Sequence, residues 1–300
     1  MRLKTCARGT GLALLVARRI TDSIEWVFTE LKGNAMSRQQ AIDYLKSVHT
    51  RMAEQVDFSP ENPVINTTLG TLVRTLCDWQ TFDDLATIDL DPEVAPLLTD
   101  LPRLCACAEC EMEKWWCRKI LSDMQTETCP ANRALAAFWY MDNYRELYTA
   151  ERALMTDAQH NKAAFLGSGA LPLTAILMAE ADPTASIRCV DMDAIACDLS
   201  RQLIEALDLS DRIEVICASA QSYIPRADET VICASLLSGA GIYDHLLDHG
   251  VRTLLVRDAE GLFRLLYKPA VLPTNGYVER AKTQPCHTRI NTSRLFERAA

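Results

Sequence analysis

Two rhythms of apolar residues run along the chain, and they change over near residue 160. Upstream, apolar positions recur at three- and four-residue spacing: Ala41, Leu45 and Val48; Leu69, Leu72, Val73 and Leu76; then Leu104, Ala108 and Trp115. This spacing places one apolar side chain per turn on a common face and predicts a bundle of amphipathic helices. SPENP at 59–63, DLDPEVAP at 89–96 and Cys129-Pro130 supply the expected breaks.

Downstream, short β-branched runs alternate with helical ones. AAFLGSG is followed by a predicted helix over Leu171–Glu180, then IRCVD, a helix over Ile195–Leu207, RIEVIC, TVICAS, a helix near Tyr243–Leu247, and VRTLLVR. Strands alternating with helices of about ten residues are the signature of βαβ units and a parallel sheet. The division expected is an unassigned extension over 1–37, a helical acceptor-binding or lid domain over 38–158, and a Rossmann-like domain over 159–300. Met36 is a candidate start of the folded chain.

The strongest local signal is FLGSGALP at 165–172, a strand running into a glycine turn that opens a helix. Gly167, Ser168 and Gly169 let the backbone approach a ligand closely. Pro172 occupies the place of the third glycine of a dinucleotide fingerprint, which favours an uncharged or cationic ligand over a cradled pyrophosphate. Twenty-four residues after Gly167, Asp191 ends the next strand, where an acid accepts hydrogen bonds from both ribose hydroxyls. Strand, glycine loop, helix, strand and acid describe an adenosine site, with a purely structural turn as the alternative. The same layout belongs to class I S-adenosylmethionine (SAM) methyltransferases. The fold expected is therefore α/β, a class I SAM-methyltransferase-like Rossmann domain preceded by an N-terminal helical bundle.

Composition narrows the function without naming it. Apolar residues make up 49% and charged residues 24% of 300, and Gly and Pro number 11 and 12, a balance that excludes disordered and fibrous proteins. Lys and Arg total 31 against 40 Asp and Glu, so the charge of −9 argues against nucleic acid as a partner. Near the start, the apolar run Leu12–Ala17 is broken by Arg18 and Arg19 and is too short to span a bilayer. The expected location is the cytoplasm, with the twelve cysteines as reduced and mostly buried thiols.

Cys105, Cys107, Cys110 and Cys117 lack the paired spacing of a structural zinc site. Core packing is the expectation for them, with no metal site. His49, His160, His245, His249 and His287 contain one i, i+4 pair, His245 and His249, read as a solvated helix end and not as ligands.

Longer segments resemble the nicotianamine synthase family. FLGSGALPLTAIL is similar to the family's FLGSGPLPLTS, SPENPVINTTLGTLVRTL to SP..PEVN.LF..LV, and LPRLCACAECEMEKWW to IRLC.EAEG.LE.H. FWYMDNYRELYTAERAL resembles P(Y/F)..NY..L..LE, VDMDAIACDLSRQL resembles DIDPSAN.MA..L, LVRDAEGLFRLLY resembles L.RSAHG.R.FLY, and residues 284–293 resemble P..E.INS. The order is conserved over roughly residues 40–296. The chain departs from the plant-type pattern at Ala220 and Gln221, where an acid follows the third strand, and at Ala170 in place of a proline.

The resemblance implies an enzyme that transfers the 3-amino-3-carboxypropyl (2-aminobutanoyl) arm of SAM to an amine and releases 5'-methylthioadenosine, with no cofactor beyond SAM as co-substrate. Bacterial relatives use histidine as acceptor and feed opine-type metallophores, so the implied partners are SAM, histidine and a downstream opine dehydrogenase, with room for a homodimer. Two other readings stay open: a nicotianamine synthase that condenses three SAM molecules, and a catalytically silent SAM- or metal-binding protein.

An attacking amine must be neutral, and its proton needs an acceptor. Glu109 and Glu113 lie four apart on one predicted helix, hence on one face, and match the family's EAEG.LE carboxylates. One serves as base while the other repels it and raises its pKa; surface carboxylates are the alternative. Tyr144 and Asn143 match the NY motif, with Tyr140 as a further candidate, for orienting the acceptor or a substrate carboxylate. Gly167, Ser168, Gly169, Asp191, Asp193, Ala220 and Gln221 are the expected SAM contacts. Arg257, at the end of VRTLLVR, is placed to grip a substrate carboxylate bidentately, or to pair with Asp258 or a neighbour.

Overall fold

Helix α1 (Arg38–Ala53) starts from a capping box in which Ser37 and Gln40 satisfy each other's backbone N–H groups, and it buries Ala41, Ile42, Leu45, Val48 and Met52. Asn62 caps α2 (Pro63–Trp79) by accepting from Val64 N, with Pro63 at the first helical position where its missing N–H costs nothing. Helix α3 (Leu97–Gln125) runs for 29 residues, about 40 Å. Short helices α4 (Ala131–Ala136), α5 (Met141–Arg152) and α6 (Asp157–Asn161) lead into the sheet. The computed structural model describes residues 36–299 except 83, 126–130, 227, 238–240, 285 and 287–288. Most of the expected N-terminal extension, Cys129-Pro130 and His287 therefore lie outside the described residues.

The α/β portion begins with β1 (Lys162–Leu166) and continues through α7 (Leu173–Ala181), β2 (Ser186–Asp191), α8 (Ala194–Ala206), β3 (Ile213–Cys217), β4 (Thr230–Cys233), α9 (Gly241–Asp248) and β5 (Thr253–Asp258). Strands β6 (Tyr277–Lys282) and β7 (Thr292–Arg298) complete a seven-stranded sheet of order β3-β2-β1-β4-β5-β7-β6. The first five strands are parallel, and β7 lies antiparallel between β5 and β6. Crossovers diverge from the centre of this order, so β1 and β4 flank the switch point above which α/β proteins bind ligands.

All five strands expected from the sequence are present, while β6 and β7 have no counterpart in that expectation. YVERAK and TSRLFER carry too few apolar residues to alternate visibly, because the hairpin is held partly by charge. Arg294 on β7 reaches Asp258, Glu260 and Glu279, and Arg280 pairs with Glu297.

Because of its length, α3 belongs to two cores. Its first half packs Leu101, Leu104 and Ala108 with α1, α2 and the turn Gly261–Leu265 that follows β5. Its second half sends Cys117 and Ile120 into the layer shared with α7 and α8. Cys105 and Cys117 are thus core residues as expected, whereas Cys107 and Cys110 are exposed. Cys110 shares an angular position with Cys117 but faces an opening that the layers leave near the middle of the helix. His249 Nδ1 lies 2.8 Å from the His245 carbonyl, and His245 Nε2 lies 2.7 Å from the Tyr223 carbonyl, so both rings are tied to backbone at the end of α9. Among the described residues, no helix is long and apolar enough to cross a membrane.

One buried ion pair joins the layers. Arg257, at the end of β5, donates to both Glu151 oxygens at 2.8 and 2.9 Å and to Thr174 Oγ1 on α7 at 2.7 Å. Ser293 on β7 donates to Glu151 Oε1 at 2.6 Å. Both charged side chains are almost wholly buried, with relative exposures of 6% and 1%. Glu151→Ala leaves the guanidinium buried without a counter-charge and should cost about 3–5 kcal/mol in urea unfolding, most of it recovered by the double variant with Arg257→Met. A loss of under about 1 kcal/mol would remove the pair as the joint between layers.

Candidate active site

The loop after β1 is shaped by two glycines in the left-handed region, Gly167 at φ +75° and Gly169 at φ +68°. Gly167 N donates to the Val190 carbonyl at 2.8 Å, which lashes the loop to the end of β2. Asp191 ends that strand, and its carboxylate accepts from Gly169 N and Asp193 N, each at 2.9 Å. A carboxylate with two such donors retains lone pairs for another, and Asp191 lines a cavity of about 390 Å³ at the switch point. After β3, the buried Ala220 and exposed Gln221 line the same cavity, as does Ser168.

Asp193 lines the cavity too, but its oxygens are engaged. Oδ1 caps α8 by accepting from Ile195 N and Ala196 N, and Oδ2 pairs with Lys114 of α3 at 2.6 Å. The Lys114 hydrogen bond holds the Asp193 carboxyl below the usual range. Its visible work is to pin α3 to the nucleotide-type loop.

Helix α3 presents Glu109 and Glu113 to the cavity, and α5 presents Asn143 and Tyr144, with Tyr140 just ahead of it. The Tyr267 hydroxyl donates to Glu109 Oε1 at 2.8 Å, and the Tyr144 hydroxyl to Glu113 Oε1 at 3.4 Å. Lys114, the nearest base in sequence, pairs with Glu111 and Asp193 instead. Both carboxyls are half-buried in the cavity wall. Burial pushes Glu109 up to about 7. Burial also raises Glu113 well above the ordinary value, followed by the charges of Glu109 and Asp191. Mutual repulsion, the cause anticipated from the i, i+4 spacing, therefore comes second and acts on Glu113. Burial raises Tyr140, Tyr144 and Tyr267 as well, which keeps their hydroxyls protonated as donors. An apolar recess of about 40 Å³ opens beside the same carboxylates, between Leu69, Val73 and Phe138.

Arg257 also lines the cavity, and of the two partners expected for its fork, a substrate carboxylate or an acid of the protein, it grips an acid, Glu151 rather than Asp258. A buried guanidinium needs a permanent counter-charge, and α5 supplies it. Sequence reasoning missed Tyr267, Arg289, Ile290 and Asn291, which reach the cavity from after β5 and from just before β7. Tyr267 closes an apolar run, GLFRLLY, that reads as core, and no local spacing connects it to a glutamate 158 positions earlier. Among the described residues, no group of three or more His, Cys, Asp or Glu could hold a metal ion.

A parallel sheet of this order, extended by an antiparallel hairpin, with a glycine loop, a β2 acid and a cavity at the switch point, defines the SAM-methyltransferase-like α/β class. Among solved structures, a mutant of MtNAS in complex with S-adenosylmethionine superposes with a TM-score of 0.71 at 21% identity, over 87% of this chain and 98% of that one. MtNAS in complex with MTA and tNA gives 0.67 at 19% identity, over 86% and 98%. Residues 34–298 match the family model described as nicotianamine synthase protein. The chain belongs to the nicotianamine synthase family. It is 29% identical to nicotianamine synthase 1 of Arabidopsis thaliana over 68% of this chain and 67% of the relative. It is also 29% identical to nicotianamine synthase 3 of Oryza sativa subsp. indica, over 85% and 77%. It is 27% identical to an L-histidine 2-aminobutanoyltransferase of Yersinia pestis, over 50% and 57%.

A Cβ on Gly169 would collide with the Glu113 carboxylate. Gly169→Ala should therefore lose more stability than the ~1–2 kcal/mol of a left-handed alanine alone, and adding Glu113→Ala should return the excess, as read by denaturant unfolding. Equal losses in the two backgrounds would show that the loop does not rest on Glu113.

Because the Glu109 carboxyl is raised to about 7, folding favours its protonated form. The stability this group allows is complete below about pH 4.3, where it is protonated in both states, and declines as pH rises to about 7. Glu109→Gln should lift the melting temperature relative to the parent more at pH 8 than at pH 5. A constant difference would place Glu109 in a water-like setting.

Proposed function

We propose that the protein transfers the 3-amino-3-carboxypropyl group of SAM to the amine of an amino-acid acceptor, histidine, and releases 5'-methylthioadenosine. The observation that carries this reading is the pair of half-buried carboxyls, Glu109 and Glu113, in one cavity with the glycine loop and Asp191. Methyl transfer and arm transfer start from the same sulfonium, and the carbon held in line about 3–3.5 Å from the nucleophile is the one that reacts. The cavity supplies what an amine nucleophile needs, an acceptor for its proton.

The amine lone pair forms a bond to the arm carbon next to sulfur. The carbon–sulfur bond breaks with its electrons returning to sulfur, which leaves as the neutral thioether of methylthioadenosine. The proton shed by nitrogen passes to a glutamate. A carboxyl near 7 is well matched to an α-amino group near 8, because neither direction of transfer is steeply uphill. Tyr144 and Tyr267 hold the two carboxylates in place while remaining protonated. Asp191 receives the ribose, with Ala220 and Gln221 beside the base.

The likeness to a histidine 2-aminobutanoyltransferase supports histidine as acceptor. A second reading, condensation of three SAM molecules to nicotianamine, is favoured by the longer matches to the plant synthases. With histidine as acceptor, the product is an opine-metallophore precursor made in the cytoplasm and passed to an opine dehydrogenase.

Incubation of the purified protein with SAM, with and without histidine, followed by mass spectrometry, tests the assignment. Methylthioadenosine formed only with histidine is the expected result. Its release from SAM alone selects the second reading, and S-adenosylhomocysteine, or no nucleoside product, overturns both. Glu109→Gln and Glu113→Gln should lower turnover by about 10² or more with SAM binding retained; full activity in both would remove the proton acceptor. Asp191→Ala should weaken SAM binding instead. Because the acceptor of the proton must be ionised, the parent rate should rise with pH through about 7, and a flat profile between pH 6 and 8 would exclude Glu109.

A further inference from the structure

Two arginines line the cavity, and their situations differ. Arg257 is neutralised by Glu151. Arg289 donates from Nε to the Asn291 carbonyl at 3.4 Å and from Nη2 to the Gln284 carbonyl, and no carboxylate pairs with it among the described residues. Its backbone is fixed on the C-terminal side: Ile290 is buried in the core shared with the helices, and the Asn291 amide donates to Ser235 Oγ after β4. The guanidinium is thus a held, solvent-accessible positive charge in a cavity whose other charged walls are Glu109, Glu113, Asp191 and Asp193.

Those acids suit a sulfonium and an amine, and they repel a carboxylate. Every amino-acid substrate carries both signs, so the cavity must offer its carboxylate a cation away from the acids. Arg289 meets that condition. It precedes β7, which pairs with β5 and lies four strands from β2 in the sheet order, about 19 Å from the strand that ends in Asp191. This is the end opposite the adenosine loop.

We infer that Arg289 is the binding residue for the α-carboxylate of the amino-acid substrate. The inference rests on the proposed transfer only in taking an amino acid as reactant. Two sources present that carboxylate, the arm of SAM and the acceptor, and binding measurements separate them.

Isothermal titration of the full chain and of Arg289→Met should use matched ligands with and without the carboxylate: SAM against decarboxylated S-adenosylmethionine, and L-histidine against histamine. Arg289→Met should weaken the carboxylate-bearing member of a pair roughly 10- to 100-fold while sparing the other member. Arg289→Lys should restore part of the loss, since a lysine keeps the charge without the fork. A loss confined to SAM assigns the donor arm, and one confined to histidine assigns the acceptor. Equal effects on both members of each pair, no effect on either, or a parent protein that binds neither SAM nor histidine would overturn the inference. Absence of methylthioadenosine in the product assay sinks the transfer reading alone, because these titrations need no turnover.

Discussion

Glu151 and Arg257 are buried at the place where α5 meets the end of β5, and neither charge is tolerable there without the other. That mutual requirement sets the position of α5 against the sheet. Tyr144 and Glu151 lie seven residues apart on one helix, two turns along the same face, with Leu147 between them. Fixing Glu151 therefore fixes the tyrosine that touches Glu113, and with it the wall opposite the glycine loop. Thr174 and Ser293 add a third and fourth element to the same knot.

Burial, more than any single charge, sets the electrostatics of the cavity. Burial raises the Glu109 pKa further than the Tyr267 hydrogen bond, and after it the charge of Arg257, bring it down. Tyr267 and Tyr144 donate to the glutamates without carrying charge, so they orient the carboxylates while partly opposing the rise that burial imposes. The result is a cavity whose two glutamates hold their protons more readily than ordinary carboxyls do.

Much of this was legible in the sequence because it depends on local periodicity. The five parallel strands, the glycine loop and Asp191 follow from runs of a few residues, and the i, i+4 glutamates follow from helix geometry. What stayed hidden depends on distant pairing. The outer hairpin is stabilised by charges on Arg294 and Arg280 whose partners are not local in sequence. For Arg257 the choice between a substrate carboxylate and a nearby acid stayed open, because its partner Glu151 lies 106 positions away. Exposure of Cys107 and Cys110 could not be inferred from a helical face alone, since only the packing of α3 against two cores shows where the helix is left uncovered.

Strand β7 is the last of the seven in chain order, but it inserts beside β5 and brings Arg289, Ile290 and Asn291 to the cavity just before it. A chain emerging from the ribosome can assemble the helices and the five parallel strands before this segment exists. The glutamates and tyrosines would then stand in an open cleft, able to meet solvent. The cavity wall is complete only when β7 slots into the sheet and sets Arg289, Ile290 and Asn291 in place.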